Sequence, residues 1–126
     1  MRNSLRYYFD LAIKIANAKD DRRSFKIGAC AIRNDGVIVG ASNGPTPYQS
    51  PMAHGEHKIS RKLDYGATVY VVRVLRKDGT LAMARPCSDC AHTLRSKRVK
   101  RVYYSINPEQ YGIYIPAEDT DTYYHF

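Results

Sequence analysis

The first part of the chain predicts one helix followed by two strands. From Arg2 to Lys19 they recur every three or four residues, which predicts an amphipathic helix. Lys26 to Arg33 and Val37 to Ala41 have the composition of β-strands. Because Asn34-Asp35-Gly36 between them is typical of a tight turn, we predict that the two strands form an antiparallel hairpin.

Breaks in the pattern separate the hairpin from the next two elements. Ser42 to Met52 is rich in proline and contains an Asn-Gly pair, which predicts an ordered loop. His54 to Leu63 predicts a short helix that ends at Asp64-Tyr65-Gly66. The β-branched run within Ala67 to Leu75 predicts a buried central strand.

The last part of the chain contains one further helix and at least one further strand. Pro86 favours the first turn of a helix that runs from about Cys87 to Ser96, and Val99 to Ser105 predicts a strand after it. Tyr111 to Ile115 is compatible with a last strand, whereas the acidic and aromatic tail from Glu118 to Phe126 shows no clear periodicity.

The order of these elements predicts the fold class. Consecutive β-α-β connections imply parallel strands in one sheet with helices on its faces, and the opening hairpin supplies an antiparallel edge. We therefore expect a mixed α/β fold. A chain of 126 residues has the length of one domain.

Composition narrows the class of protein. Apolar residues make up 44% and charged residues 25%, which is close to the average of globular domains. The sequence lacks an apolar run of roughly 20 residues and a signal-peptide core, so a soluble, cytoplasmic protein is the default expectation. Three cysteines, an odd number, fit poorly with a disulfide framework.

The net charge indicates the kind of partner. A formal charge of +8 attracts anions, so nucleotides and nucleic acids are plausible partners. A basic surface that is merely solvated explains the same charge. Both interpretations remain open.

Two short motifs carry the candidate chemistry. His54-Gly55-Glu56 begins one predicted helix, and Pro86-Cys87-Ser88-Asp89-Cys90 begins the next, with a strand between them. Together they match the H-x-E and P-C-x-x-C signature of zinc deaminases. A catalytic zinc keeps three protein ligands and leaves a fourth position for water, which predicts His54, Cys87 and Cys90 as the ligands of Zn²⁺.

Glu56 is the predicted catalytic residue. It lies two residues after His54 and can take a proton from the zinc-bound water and pass it to the departing amine. The predicted reaction is attack of a zinc-bound hydroxide on the ring carbon that carries the amine, followed by loss of ammonia.

The alternative is a structural zinc site, which would need a fourth protein ligand. Cys30, His57, His92 or His125 could supply it. We expect these histidines to be exposed or satisfied within the core, and Cys30 to be a small buried apolar residue. A redox C-x-x-C pair would leave His54 and Glu56 without a role.

On these motifs the chain resembles the cytidine and deoxycytidylate deaminase superfamily over roughly Lys26 to Ser105. The resemblance implies a five-stranded mixed sheet between helices, a zinc cofactor and a homo-oligomer. It also implies that Ile27, in Ile27-Gly28-Ala29, lies at the pocket floor and that Asn43 contacts the sugar. Backbone groups of Ala84 and Arg85 would hold the base. Gly55 departs from the Ala that is usual in the first motif, without affecting the chemistry.

Three functions follow from these observations. The leading hypothesis is deamination of a free nucleoside or nucleotide, cytidine or deoxycytidylate. The second is deamination of a base in tRNA or single-stranded nucleic acid, which the basic run Lys97-Arg98-Lys100-Arg101 and the many tyrosines would suit. The third is a non-catalytic module with a structural zinc, which leaves Glu56 unexplained.

Overall fold

The structure is a computed structural model that describes residues 2–18, 25–42, 63–86 and 88–126. The predicted proline-rich loop, residues 43–52, and the predicted helix over residues 54–62 lie outside the described residues. None of the helices within the described ranges is long and apolar enough to cross a membrane.

The elements predicted from apolar spacing within these ranges are all present, with ends shifted by one or two residues. The described elements, in chain order, are α1 Arg2–Asn17, β1 Phe25–Ile32, β2 Ile38–Ser42, β3 Thr68–Leu75, β4 Leu81–Ala82, α2 Ser88–Ser96, β5 Arg101–Asn107, β6 Gln110–Ile115 and β7 Thr120–His125. Gly36 adopts a positive φ of 89° in the turn of the β1–β2 hairpin, as the Asn-Asp-Gly sequence predicts.

The strands form a mixed sheet in the order β2-β1-β3-β5-β6-β7, and the short β4 pairs with β3. β3 and β5 are parallel, as the β-α-β connection predicts, and the other pairs are antiparallel. The mixed α/β prediction is confirmed. The sheet has seven strands among the described residues rather than five, because β4 and β7 were not expected.

Strand β7 forms in the tail for which the sequence showed no periodicity. It pairs with β6 along its whole length, yet nearly all of its side chains are exposed. An edge strand with little burial has no alternation of apolar and polar residues, so its pattern could not be recognised. Backbone pairing with β6, rather than an apolar face, makes this segment a strand.

Two apolar clusters lie on opposite faces of the sheet. Val69 and Val71 of β3 point into a cluster with Leu94 of α2, whereas Tyr70 and Val72 point into a cluster with Phe9 and other residues of α1. β3 is therefore the buried central strand that its sequence predicts. Among the described residues, α1 packs on one face and α2 on the other, which confirms the layered arrangement.

Gly28 lets α1 approach the sheet closely. A Cβ atom at this position would meet the carbonyl oxygen of Ala12 and the backbone nitrogen of Ala16. Since helix backbone cannot move aside without disrupting its hydrogen bonds, this position accepts only glycine at the observed packing distance. The Gly in Ile27-Gly28-Ala29 thus has a packing role on the α1 side of the sheet.

Candidate metal site

The structure describes one of the three predicted metal ligands, Cys90. His54 and Cys87, together with the predicted catalytic residue Glu56, lie outside the described residues. Within the described part of the chain, no three His, Cys, Asp or Glu side chains come together in a way that could hold a metal ion. The ligand set therefore stays a prediction.

Cys90 lies in the first turn of α2 and its side chain is completely buried. Pro86, also fully buried, directly precedes the Cys-x-x-Cys segment. Backbone N–H groups and the positive end of the helix dipole favour a thiolate at this end of a helix. A buried sulfur in this position fits a zinc ligand by its donor chemistry, and Cys87 and His54 would complete the three-ligand set.

The chain that leads to Pro86 is anchored on β5 by Ser105. The Ser105 hydroxyl donates a hydrogen bond to the Ala82 carbonyl at 2.7 Å and accepts one from the backbone N–H of Arg73 at 3.3 Å. The backbone N–H of Ala84 donates to the Ser105 carbonyl at 2.8 Å. The predicted contact between the backbone of Ala84 and a base therefore cannot use this N–H group without breaking a bond of the fold.

The Arg85 side chain binds Asp121 of β7. Its Nε donates to Oδ1 at 3.0 Å and one terminal nitrogen donates to Oδ2 at 3.1 Å, and the guanidinium carbon lies 4.9 Å from the ring centre of Tyr114. The hydrogen bonds to Asp121 raise the pKa of Arg85 further above its ordinary value. The guanidinium is thus held by the fold, and a role of Arg85 in binding the base is limited to its backbone.

Tyr104 is the second partner of Asp121. Its hydroxyl donates to Asp121 Oδ1 at 2.7 Å, and burial together with this bond raises the pKa of Tyr104. Burial alone would raise the pKa of Asp121, but the hydrogen bonds from Arg85 and Tyr104 outweigh it and lower that pKa below its ordinary value. Asp121 is therefore a carboxylate held by two donors.

The C-terminal end of α2 is held by the same hairpin, β6–β7. Arg95 Nε donates to the carbonyl of Pro116 at 3.0 Å, and a terminal nitrogen lies 3.1 Å from Asp119 Oδ1. The Tyr114 hydroxyl donates to the same carboxylate oxygen at 2.7 Å. The C-terminal end of the helix that carries Cys90, and Arg85 in the segment before the helix, are thus tied to the β6–β7 hairpin.

Two predicted substrate contacts remain predictions. Ile27 lies on β1, half-buried, and packs against the cluster on the α2 face of the sheet. It is therefore on the same side as Cys90's helix, where a pocket floor would have to lie. Asn43 lies outside the described residues.

Cys30 cannot complete a structural site with Cys90. It is fully buried in the α1 cluster, on the opposite face of the sheet from α2, and its thiol donates to the Tyr8 carbonyl at 3.3 Å. Burial raises the pKa of Cys30 to about 12, so the group stays a neutral thiol. The interpretation of Cys30 as a small buried residue is confirmed. His92 and His125 are exposed, as expected, and His57 lies outside the described residues.

The predicted basic run surrounds the C-terminal end of α2. Arg98, Lys100 and Arg101 are exposed, and Lys97 is half-buried. Arg98, with a φ of 53°, ends the helix, and its guanidinium lies over the ring of Tyr65. Arg98, Lys100 and Arg95 line an open cavity of about 530 Å³ together with Pro116 and Ala117.

Comparison with known proteins gives a consistent result. A family model described as "Cytidine and deoxycytidylate deaminase zinc-binding region" matches residues 2–106. Among solved structures, cytidine deaminase from Mycobacterium leprae is similar with a TM-score of 0.63 and 16% identity, over 90% of this chain and 94% of that chain. A mutant cytidine deaminase from Mycobacterium tuberculosis is similar with a TM-score of 0.51 and 17% identity, over 80% and 84% of the two chains. At these identities the structural likeness shows the fold.

Proposed function

The chain belongs to the cytidine and deoxycytidylate deaminase family, and we propose that it is a zinc-dependent hydrolase that removes the exocyclic amine of a cytosine-type nucleoside or nucleotide. The observation that carries the proposal is the complete burial of Cys90 in the first turn of α2, next to a buried Pro86. Burial alone disfavours a thiolate, but the positive end of the helix dipole and a bound zinc ion would both stabilise one at this position.

Each motif residue has a distinct role in the proposed reaction. His54, Cys87 and Cys90 would hold Zn²⁺, which would supply a nucleophilic water of lowered pKa. Glu56 would take a proton from the nucleophile and deliver it to the departing amine, which would leave as ammonia. Asn43, Ile27 and the backbone of Ala84 and Arg85 are the proposed contacts to the substrate.

We propose cytidine or deoxycytidylate as the substrate. Both solved structures named above are cytidine deaminases, and the formal charge of +8 favours an anionic substrate such as a nucleoside monophosphate. A preference for the monophosphate over the nucleoside that disappears at high salt would support steering by this charge.

The exposed basic residues around α2 favour a second candidate substrate, a polynucleotide. Arg98, Lys100 and Arg101 can contact successive phosphates without binding a base. A deaminase of tRNA or single-stranded DNA would need such a surface outside its pocket. Substitution of these residues by Ser would then weaken binding of the polymer and leave turnover of a monomer unchanged.

We further propose a homo-oligomer in the cytoplasm. Tyr7 of α1 and Tyr123 of β7 are 58% and 63% exposed, an amount of aromatic surface that a second subunit could cover. The free, fully buried thiol of Cys30 suits a reducing compartment. The molar mass in solution, from light scattering during gel filtration, tests the oligomer.

The first experiment is ammonia release from zinc-loaded protein with cytidine, deoxycytidine, their monophosphates, and short single-stranded DNA and RNA. Glu56→Gln should lower turnover at least about 100-fold while one zinc per chain remains bound, because only the proton transfer is lost. Glu118→Gln, the same change at an exposed position, is the matched control. Full activity of Glu56→Gln, or bound zinc without turnover of any substrate by the wild type, would contradict the proposal.

A further inference from the structure

An ion pair connects the last strand of the sheet with the segment that enters the predicted metal site. Arg85 lies two residues before Cys87, and its guanidinium meets the Asp121 carboxylate through two parallel hydrogen bonds of 3.0 and 3.1 Å. Paired bonds of this kind fix the relative orientation of the two planar groups as well as their distance. The Asp121 side chain is only 16% exposed, so water competes little for it.

Tyr104 keeps the Asp121 carboxylate in place. Tyr104 is fully buried, its ring lies over Gly112, and its hydroxyl donates to Asp121 Oδ1 at 2.7 Å. A carboxylate that accepts bonds from a buried hydroxyl and from a guanidinium cannot rotate without losing one of them. Asp121 is thus a fixed point to which Arg85 is attached.

The two neighbours of Arg85 in this segment are fixed as well. Ala84 is bonded to the backbone of Ser105, and Pro86 is buried and has a restricted φ. Each of the residues from Ala84 to Pro86 is therefore held by a different means as the chain enters α2. Without Asp121, the Arg85 side chain would keep a long hydrogen bond of 3.4 Å to the Pro86 carbonyl and its contact with the Tyr114 ring.

We propose that Asp121 is a positioning residue for the predicted zinc site: through Arg85 it fixes the chain that enters α2, the helix whose first turn holds Cys90. The inference rests on the proposed function, since it assigns a role toward the zinc ligands. A purely stabilising ion pair is the alternative. The Arg85 side chain is 39% exposed, and an ion pair that is open to water on one side contributes little to stability, so the two roles differ in whether metal affinity or the melting temperature changes.

The test measures zinc affinity by competition with a chromophoric chelator, and the thiolate-to-metal absorption of the Co²⁺-substituted protein. Asp121→Asn keeps the size of the side chain and removes the charge that orients Arg85. We expect its zinc affinity to fall about tenfold, as is usual when a group that orients metal ligands is lost. Arg85→Lys, which keeps the charge and removes the paired bonds, should cause a similar fall, and the double variant should lose no more than either single variant.

Asp119→Asn is the matched control. Asp119 lies on the same hairpin and holds Arg95 at the other end of α2, and its φ of 53° is one that Asn tolerates as well as Asp. We expect its zinc affinity to stay within twofold of the wild type. If Asp119→Asn weakens zinc as much as Asp121→Asn, general loosening of α2 explains both, and the positioning role is wrong.

The remaining outcomes separate the inference from the proposed function. Wild-type protein that binds no zinc would contradict the proposed function, and this inference with it. Wild-type protein that binds zinc, with Asp121→Asn and Arg85→Lys binding it equally well, would overturn the positioning role alone. If Asp121→Asn does not fold, Arg85→Lys decides the matter by the same comparison.

Discussion

Gly112→Ala is the substitution for which the structure gives the clearest expectation. Gly112 of β6 lies directly opposite Tyr104 of β5, and a Cβ atom at this position would meet the Tyr104 ring, with its hydroxyl oxygen 2.5 Å and its Cε2 2.7 Å away. The ring is fully buried and its hydroxyl is bonded to Asp121, so it has no open direction in which to turn. Either the strand pair or the ring must move.

The expected loss has two parts. Forcing an extra methyl group into a well-packed site costs typically about 1–3 kcal/mol. Displacing the Tyr104 hydroxyl from the Asp121 carboxylate removes a hydrogen bond to a charged group, worth about 1.5–3 kcal/mol when it is lost completely. Because the ring can relieve the clash only by weakening this bond, the two costs overlap, and we expect a decrease of about 2–4 kcal/mol in the free energy of unfolding.

Urea unfolding of four proteins tests this expectation: the wild type, Gly112→Ala, Tyr104→Leu and the double variant. In the Tyr104→Leu background the ring and hydroxyl are absent, so Gly112→Ala should change stability by less than about 0.5 kcal/mol. The difference between the two backgrounds is the energy of the contact. Equal effects of Gly112→Ala in both backgrounds would refute the explanation, as would a loss below about 0.5 kcal/mol in the wild type.

Three further outcomes follow from the packing around β1. Gly28→Ala should destabilise the protein by at least about 2 kcal/mol because its methyl group meets helix backbone, whereas Gly36→Ala, with open space around it, should lose only about 1 kcal/mol from its positive φ; equal losses would count against the packing explanation. The Cys30 thiol, whose pKa burial raises to about 12, should resist iodoacetamide at pH 8 until the protein unfolds, as followed by mass spectrometry. The folded protein keeps the Cys30 proton up to about pH 12, while the unfolded chain releases it near the ordinary pKa of about 8.5. The contribution of Cys30 to stability is therefore fully present below about pH 8.5 and is lost as the pH rises toward 12. Cys30→Ala should therefore lose stability less steeply than the wild type between about pH 9 and 11 in urea unfolding, and an unchanged slope would show that Cys30 does not titrate in this range.

The sequence predicts those elements whose burial leaves a regular pattern of apolar residues. α1 has an apolar stripe that faces the sheet, and β3 is apolar on both faces because a helix covers each of them. Such patterns are local and repeat at a fixed period. β7 was missed because its backbone pairs with β6 while its side chains remain exposed, and backbone pairing has no signature in the order of residue types.

In the candidate site, too, the sequence predicts what depends on neighbouring residues and misses contacts between residues that are far apart in the chain. The position of Cys90 in the first turn of α2 follows from Pro86 and the helical pattern after it. Asp121 lies 36 residues from Arg85, and Ser105 lies 23 residues from Ala82. No spacing rule connects residues so far apart. Only the pairing of β5, β6 and β7 brings them to the segment before Cys87.

The contacts that hold Arg85 and the C-terminal end of α2 come from a part of the chain beyond the region that the family model matches. The family model matches residues 2–106, whereas Asp119 and Asp121 lie beyond this region. The metal ligands are predicted by short motifs inside the matched region, whereas the carboxylates that bind Arg85 and Arg95 lie outside it. For this chain, a search for the determinants of metal affinity should therefore begin at β6 and β7 as well as at the motifs.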